Sequence, residues 1–512
     1  MFSSPFKYNR KKTGNTIFKP KEFPKGRKAL KKSKAPVPAS LDACIGIIKE
    51  KFEGSFDLLV RKCKIQSADG AFVLLDGMCD ELRLIQSVIT PLTEKHIFTE
   101  PGESLPSKIK NVFFKGSGIT EKNTMDDALS DILSGCAVLF IDGETSALSF
   151  SVQGYVKKSV SEPQTEQNER GSREGFTDNF KDNATLLRRR LRTSDLVIEQ
   201  IKVGSLSDTP LLFCYLKSKA DAALVEKIKK RIDKIPLETV LGAGYIRPFL
   251  DKKNFSMFSD TGLTERPDTF ASMLCEGRIG IITDGTPFAI IVPYLLADYF
   301  HVPDDYLTPV YYATFMRCLR IFCFIIAAIL PGLFVALCLF HPEVMPSDIM
   351  YEIASAESKT PFPVATEAII IHLIYEIVRE AGLRMPVAIG HAVSIVGALV
   401  IGDAAVTAGL IAAPMLIVVA LTAISSSVVS RLHETVAVMR FGFIVIGGLT
   451  GLYGIMIGLG LMILDMSSVS PYGIPFTAPF SPFVRSAQKD NLLRKSWRRM
   501  GKSVINIDEM RV

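Results

Sequence analysis

Two kinds of hydrophobic patterning divide this chain. Up to residue 300 the apolar positions come in short, strand-length runs between helical stretches, and after Arg317 they come in uninterrupted runs long enough to cross a bilayer. In the first half, the helical stretch LDACIGIIKEKF from Leu41 leads to FDLLVRKCKI, the apolar run AFVLLDG and the helical DELRLIQSVITPL. The same order returns about 140 residues later as NATLLRRRLRTS, DLVIEQIKVG, PLLFCYLK and DAALVEKIKKRI. Both series end alike, DALSDILSGCAVLFIDGETSALSF and DTFASMLCEGRIGIITDGTPFAII, with Gly135/Gly143 and Gly277/Gly285 at a common spacing of eight. Each ending predicts helix, Gly cap, strand, Asp-Gly turn, strand. The expected fold class is an α/β soluble N-terminal region of two similar subdomains, followed by an all-α polytopic membrane domain. The expected bounds are 41–155 and 183–300 for the subdomains, 156–182 for a polar linker and 301–466 for the membrane domain.

In the second half, CLRIFCFIIAAILPGLFVALCLF (318–340) offers 20 uncharged residues after Arg320. At about 1.5 Å per residue, that run spans a hydrocarbon core of roughly 30 Å. Further spans are expected at 388–409 and 411–430, with a break at Gly409 and Pro414, and at 441–464, which holds seven glycines. Gly447 with Gly451, and Gly454 with Gly458, have the four-residue spacing that suits close helix packing. The stretch 361–383, PFPVATEAIIIHLIYEIVREAGL, places His372, Glu376, Arg379 and Glu380 on one helical face. It is read as an amphipathic helix at the interface or lining a cavity. Arg317 and Arg320 precede the first span, and residues 485–502 carry seven basic residues against one Asp. Both termini are therefore expected to be cytoplasmic, with four crossings and a basic tail over 467–512.

Charge and composition narrow the function. The first 35 residues carry twelve Lys/Arg and one Glu, whereas the whole chain has a net charge of +7, so the remainder is slightly acidic. A disordered basic arm is expected over 1–40, solvated or resting on anionic membrane lipid, with no nucleic acid partner. The nine cysteines form no CxxC pair and are odd in number, which argues against a disulfide frame or a zinc site. Walker, HExxH, GxSxG and strand-borne GxGxxG motifs are missing, so no catalytic residues, cofactor or metal are expected and the chain is not read as an enzyme.

Asp403 is the one charged residue in SIVGALVIGDAAVTAGLIAAPMLIVV, 394–419. Burying an aspartate near mid-bilayer costs about 2.5 to 3.5 kcal/mol, so it needs water, a partner or an ion. Either it reaches interfacial water near the helix end at Gly409, or it faces an aqueous cavity or subunit seam and attracts cations. With His372, Glu376 and Glu380 it forms the set of candidate pore or cavity positions. Arg170, Arg173 and Glu174, in RGSREGF, are expected to fix contacts between subdomains or subunits through bidentate pairing. Glu265, Arg266 and Asp284 join them as candidate contact residues. The consecutive Arg188, Arg189 and Arg190 must point around their helix.

Five segments resemble the A subunit of spore germinant receptors, the GerA family of endospore-forming bacteria. They are NERGSREGFTDNFKDNATLLRRRLRTSDL from Asn168, TERPDTFASMLCEGRIGIITDGTPFAIIVP from Thr264, LPGLFVALCLFHPEVMP from Leu330, GHAVSIVGALVIGDAAVTAGL from Gly390 and PYGIPFTAPFSP from Pro471. The resemblance covers about 170 to 485 and, more loosely, the first repeat, leaving out the basic arm and the last 25 residues. It implies a nutrient-responsive receptor subunit in the spore inner membrane, with a transporter-like B subunit and a lipoprotein C subunit as partners. It also implies a homo-oligomer that forms or gates a cation channel. An accessory relative, acting as scaffold or channel component without ligand-binding partners, is the alternative. The family usually has an uncharged amide where this chain has Asp403.

Overall fold

The computed structural model describes residues 35–65, 68–94, 105–113, 118–154, 162–163, 165–251, 256–385, 402–484, 487–497 and 506–511. The N-terminal half holds two five-stranded antiparallel sheets. The first comprises β1 (Leu58–Ile65), β2 (Ala68–Leu75), β3 (Ile119–Lys122), β4 (Ala137–Ile141) and β5 (Ala147–Phe150), in the order β1-β2-β4-β5-β3. The second comprises β6 (Leu196–Val203), β7 (Thr209–Leu216), β8 (Gly262–Thr264), β9 (Ile279–Thr283) and β10 (Ala289–Val292), in the matching order β6-β7-β9-β10-β8.

The repeated Asp-Gly turns explain why the two copies close in the same way. Gly143 and Gly285 take φ of 84° and 79°, a left-handed conformation that suits glycine. Their N–H groups donate to the carbonyls of Ala39 and Asp178, each at 2.8 Å. The preceding carboxylates, Asp142 and Asp284, accept from Leu41 N (2.9 Å) and Phe180 N (3.3 Å), the first residues of the helices Leu41–Lys51 and Phe180–Arg190. A carboxylate there meets an unsatisfied N–H and favours the positive end of the helix dipole.

Side chains alternate across each sheet, and both faces are covered. In the first sheet Val73 and Phe140 pack under Ile45 and Ile48, while Phe72 and Leu139 pack under Leu84 and Val88. In the second, Phe213 and Ile281 meet the helix Ala222–Ile232. Its opposite face begins a core that does not stop at the sheet. From Leu212 and Phe270 it runs through Phe300 and Phe324 to Met439, Phe443 and Phe476.

Two terminal expectations change. The end of the basic arm is part of the fold, since Val37 is buried and donates to Asn123 O at 3.3 Å; residues 1–34 lie outside the described residues. The tail also folds back, with Ile474, Ala487, Ile507 and Met510 buried against Leu295.

The helical half contains Val310–Phe340, Ser347–Glu357, Val364–Arg384, helical residues 402–407, Ala413–Val428 and His433–Ser468. Most of the expected span 388–409 lies outside the described residues. The run 441–464, expected as one span, is corrected by the backbone at Gly451, where φ is 64° and ψ is −149°. A straight helix of 36 residues would measure about 54 Å. Instead, Thr435 Oγ1 donates to Met257 O at 2.7 Å and Asp465 Oδ2 accepts from Met257 N at 3.0 Å, so both ends meet one residue. The segment is a hairpin whose arms, 433–450 and 452–468, are each about 26 Å long. Its glycines make the close approaches possible. A Cβ at Gly458 would lie 2.7 Å from the Phe443 ring, and one at Gly447 would lie 2.4 Å from the carbonyl oxygen of Gly332 on the Val310–Phe340 helix.

Candidate functional site

The base of the helical half is stitched to the second sheet by buried arginines. Arg317 and Arg320, one turn apart on the Val310–Phe340 helix, share Asp305, which sits in the loop leading into that helix. Arg320 approaches it at 2.7 and 2.8 Å and Arg317 at 3.2 Å. Burial alone would raise the Asp305 carboxyl, but hydrogen bonding and charge from Arg320, with the charge of Arg317, hold it below the usual range. Arg317 also reaches Asp490 Oδ1 (2.9 Å) and Asn491 O (2.7 Å), fastening the C-terminal segment to the same helix. At the foot of the hairpin, Arg431 donates to Glu166 Oε1 (2.6 Å) and Tyr294 OH (2.8 Å). Arg278 pairs with Asp298, and Arg266 pairs with Asp268 while donating to Ser172 O at 2.9 Å.

Between these pairs lies a cavity of about 600 Å³. Its walls come from the linker near Asn168, the helix Pro267–Cys275, the stretch from Leu295 to Leu307 and the tail around Asn491 and Trp497. Glu276 opens onto it. Burial raises this carboxyl to about 7 despite the charge of Arg278, with Asp298 and Asp490 adding to the rise.

A second polar cluster lies within the helices. Glu376 accepts from Arg379 Nε (2.9 Å) and Arg440 Nη1 (3.2 Å), with His433 Nε2 3.6 Å away. His372 is buried, bonded through Nδ1 to Ala368 O at 2.8 Å. Glu380 instead makes an exposed pair with Arg384, and Asp403 stands exposed among the helical residues 402–407. His372 and Glu376 thus turn inward, whereas Glu380 and Asp403 do not. Neither Glu357 nor Glu367 stood out in the sequence. Glu367 is fully buried, with one oxygen accepting from Ala412 N at 2.5 Å. Its other oxygen and both oxygens of Glu357 meet no N–H or hydroxyl among the described residues, and the two carboxyl groups hydrogen-bond to each other.

Among the candidate contact residues, Glu174 accepts from Arg189 (3.2 Å) and Arg190 (2.7 Å). Arg173 makes an exposed pair with Glu162, and Arg170 offers its backbone N–H to Asp304 at 3.2 Å. Glu265 is buried and accepts from Thr165 N at 3.2 Å, Arg266 is the buried anchor described above, and Asp284 caps its helix. The two subdomains are joined by Arg188, one of the three consecutive arginines, paired at 2.7 and 3.0 Å with Asp57, which the sequence did not single out. Asp305, Asp490, Arg431 and Arg440 were missed as well. Their only signal was charge beside long apolar runs.

Comparison with known proteins adds a family. The profile described as Bacillus/Clostridium GerA spore germination protein matches residues 46–504, reaching into both the first repeat and the tail. The chain is 34% identical to spore germination protein KA of Bacillus subtilis strain 168, over 90% of this chain and 85% of that protein. It is 38% identical to the uncharacterized membrane protein YfkQ of the same organism, over 74% of this chain and 75% of that one. Among solved structures, the N-terminal domain of the A subunit of the Bacillus megaterium spore germinant receptor GerK3 aligns at 27% identity. That alignment covers 51% of this chain and 98% of that domain, with a TM-score of 0.41.

Proposed function

The chain belongs to the GerA family of spore germination proteins, and from that premise we propose that it is the A subunit of a nutrient-responsive germination receptor. In this reading it lies in the spore inner membrane with both ends cytoplasmic and works with a transporter-like B subunit and a lipoprotein C subunit. It oligomerises, and the helical half forms or gates a cation channel. The observation that carries the reading is the continuous core from sheet 2 to the hairpin, laced by Arg317, Arg320 and Arg431. A movement of the second subdomain is then passed to the helices through this packed core. The hairpin also bears on the topology. The four expected crossings become five when the hairpin arms count as two, and an even number that returns the chain to the cytoplasmic side then requires Val364–Arg384, read from the sequence as an amphipathic helix, to cross as well.

Asp403 is exposed on a single protomer, where an intramembrane carboxylate is costly unless a neighbouring subunit or water covers it. In a ring it presents several negative charges to one pore and favours cations. Purified protein in liposomes is expected to pass potassium in preference to chloride. Asp403→Asn is expected to reduce that flux or its selectivity while leaving the fold intact. Unchanged conductance and selectivity in Asp403→Asn would remove Asp403 from the pore.

A further inference from the structure

We propose that Glu357 and Glu367 bind one proton between them, and that this proton latches the turn by which the chain enters the Ala413–Val428 helix. The two carboxyl groups hydrogen-bond to each other, and two ionised carboxylates have no hydrogen to share, so the contact itself requires a proton. Glu367 is fully buried and its Oε1 takes the N–H of Ala412 at 2.5 Å. Its Oε2 and both oxygens of Glu357 are sealed from solvent and meet no N–H or hydroxyl among the described residues. Oxygens closed against one another in this way suit a proton, not a hydrated ion.

The elements packed around the pair bring no compensating charge. The first helix brings the Cys338 thiol, which lies within electrostatic reach of both carboxyls. Val364 and Ile371, on the same helix face as Glu367, pack with Val335 of the first helix, Met415 of the Ala413–Val428 helix and Ile444 of the hairpin. No arginine or lysine among the described residues pairs with either carboxyl. Two negative charges in contact there would repel, and one retained proton removes the repulsion.

Glu357 is the last residue of its helix and only partly buried, so it is the member that moves when the proton leaves, while Glu367 keeps the Ala412 amide. Two residues beyond Glu357, the carbonyl oxygen of Lys359 lies against Gly409, 3.4 Å from where a Cβ would stand. Release of Glu357 therefore loosens the turn at 408–412 and the helical residues 402–407 before it, which carry Asp403 and pack through Ala405 into the same apolar cluster. In the membrane reading above, on which this inference rests for its orientation, the pair faces away from the cytoplasm. The first helix leaves the cytoplasmic side at Arg317 and Arg320 and ends at Phe340, beside the hairpin turn at Gly451. Alkaline medium on that side opens the latch.

In full-length protein in lipid nanodiscs at neutral pH, the infrared difference between wild type and Glu357→Gln is expected to show the carbonyl band of one protonated carboxyl, shifted in heavy water. Glu367→Gln is expected to remove the same band. A Gln at either position can donate its amide N–H to the remaining carboxylate, so both variants are expected to fold, which circular dichroism checks. Hydrogen exchange at 408–412 is the second readout. In wild type, opening beyond the intrinsic rate is expected to rise about tenfold per pH unit once the single proton is lost, whereas both Gln variants stay protected across that range. A wild type without the band, or two separate bands removed one by each variant, would overturn the shared proton. Exchange that follows pH equally in wild type and variants would overturn the latch. Neither readout uses ion flux, so these outcomes are separate from that of the channel reading.

Discussion

Arg440 donates its Nε proton to the carbonyl of Ala327 at 3.1 Å, across two helices. That carbonyl is the one Pro331, four residues on, leaves without a helical N–H. The same guanidinium reaches Glu376, so one buried charge meets a backbone acceptor and a carboxylate inside the helical half. Arg440→Met is expected to destabilise the protein by about 2 to 4 kcal/mol, by stranding the Ala327 carbonyl and leaving Glu376 with Arg379 and His433 alone. Pro331→Ala, which restores an amide to Ala327, is expected to recover part of that loss in the double variant. Denaturation in detergent measures it, and strictly additive effects would break the link.

Gly451 turns the hairpin in a left-handed conformation, and a Cβ there would come within 2.9 Å of Phe340 Cβ. Gly451→Ala is expected to cost about 1 to 3 kcal/mol. The fold also sets an accessibility pattern. Cysteines placed at His433 and Ser468 are expected to label from the same side of sealed vesicles. Labelling from opposite sides would mean a single straight span.

Arg188 and Asp57 are 1% and 2% exposed, which makes their pair sensitive to losing one member. Arg188→Ala is expected to lower stability by about 3 to 5 kcal/mol, because Asp57 keeps its charge without its partner. Arg188→Met with Asp57→Leu is expected to regain most of it. Equal losses in the single and double variants would place the effect in packing.

Glu276 is raised from 4.5 to about 7, chiefly by burial, so the folded protein holds a proton that the unfolded chain releases. Its contribution to stability is complete below the unfolded value and is lost as pH rises through about 7. Glu276→Gln is expected to flatten that part of the stability profile. The check is the wild-type minus variant difference in denaturation midpoint across the window. A difference that grows with rising pH would reverse the sign.

The sequence by itself determined the two matched subdomains, because their signals are local. Asp142-Gly143 and Asp284-Gly285 each carry turn, cap and strand boundary within a few residues. It also determined the long apolar helices, which depend only on a running sum of hydropathy. That sum is the same for a straight helix and a folded one, so Gly451 could not be told from the other six glycines of its run. Only the tertiary structure decided that turn, the burial of the tail and the partners of the buried charges. Arg317 finds Asp490 across 173 residues and Arg188 finds Asp57 across 131. Pairings so distant leave no periodicity in the chain, because the desolvation that enforces them arises only once the layers have packed.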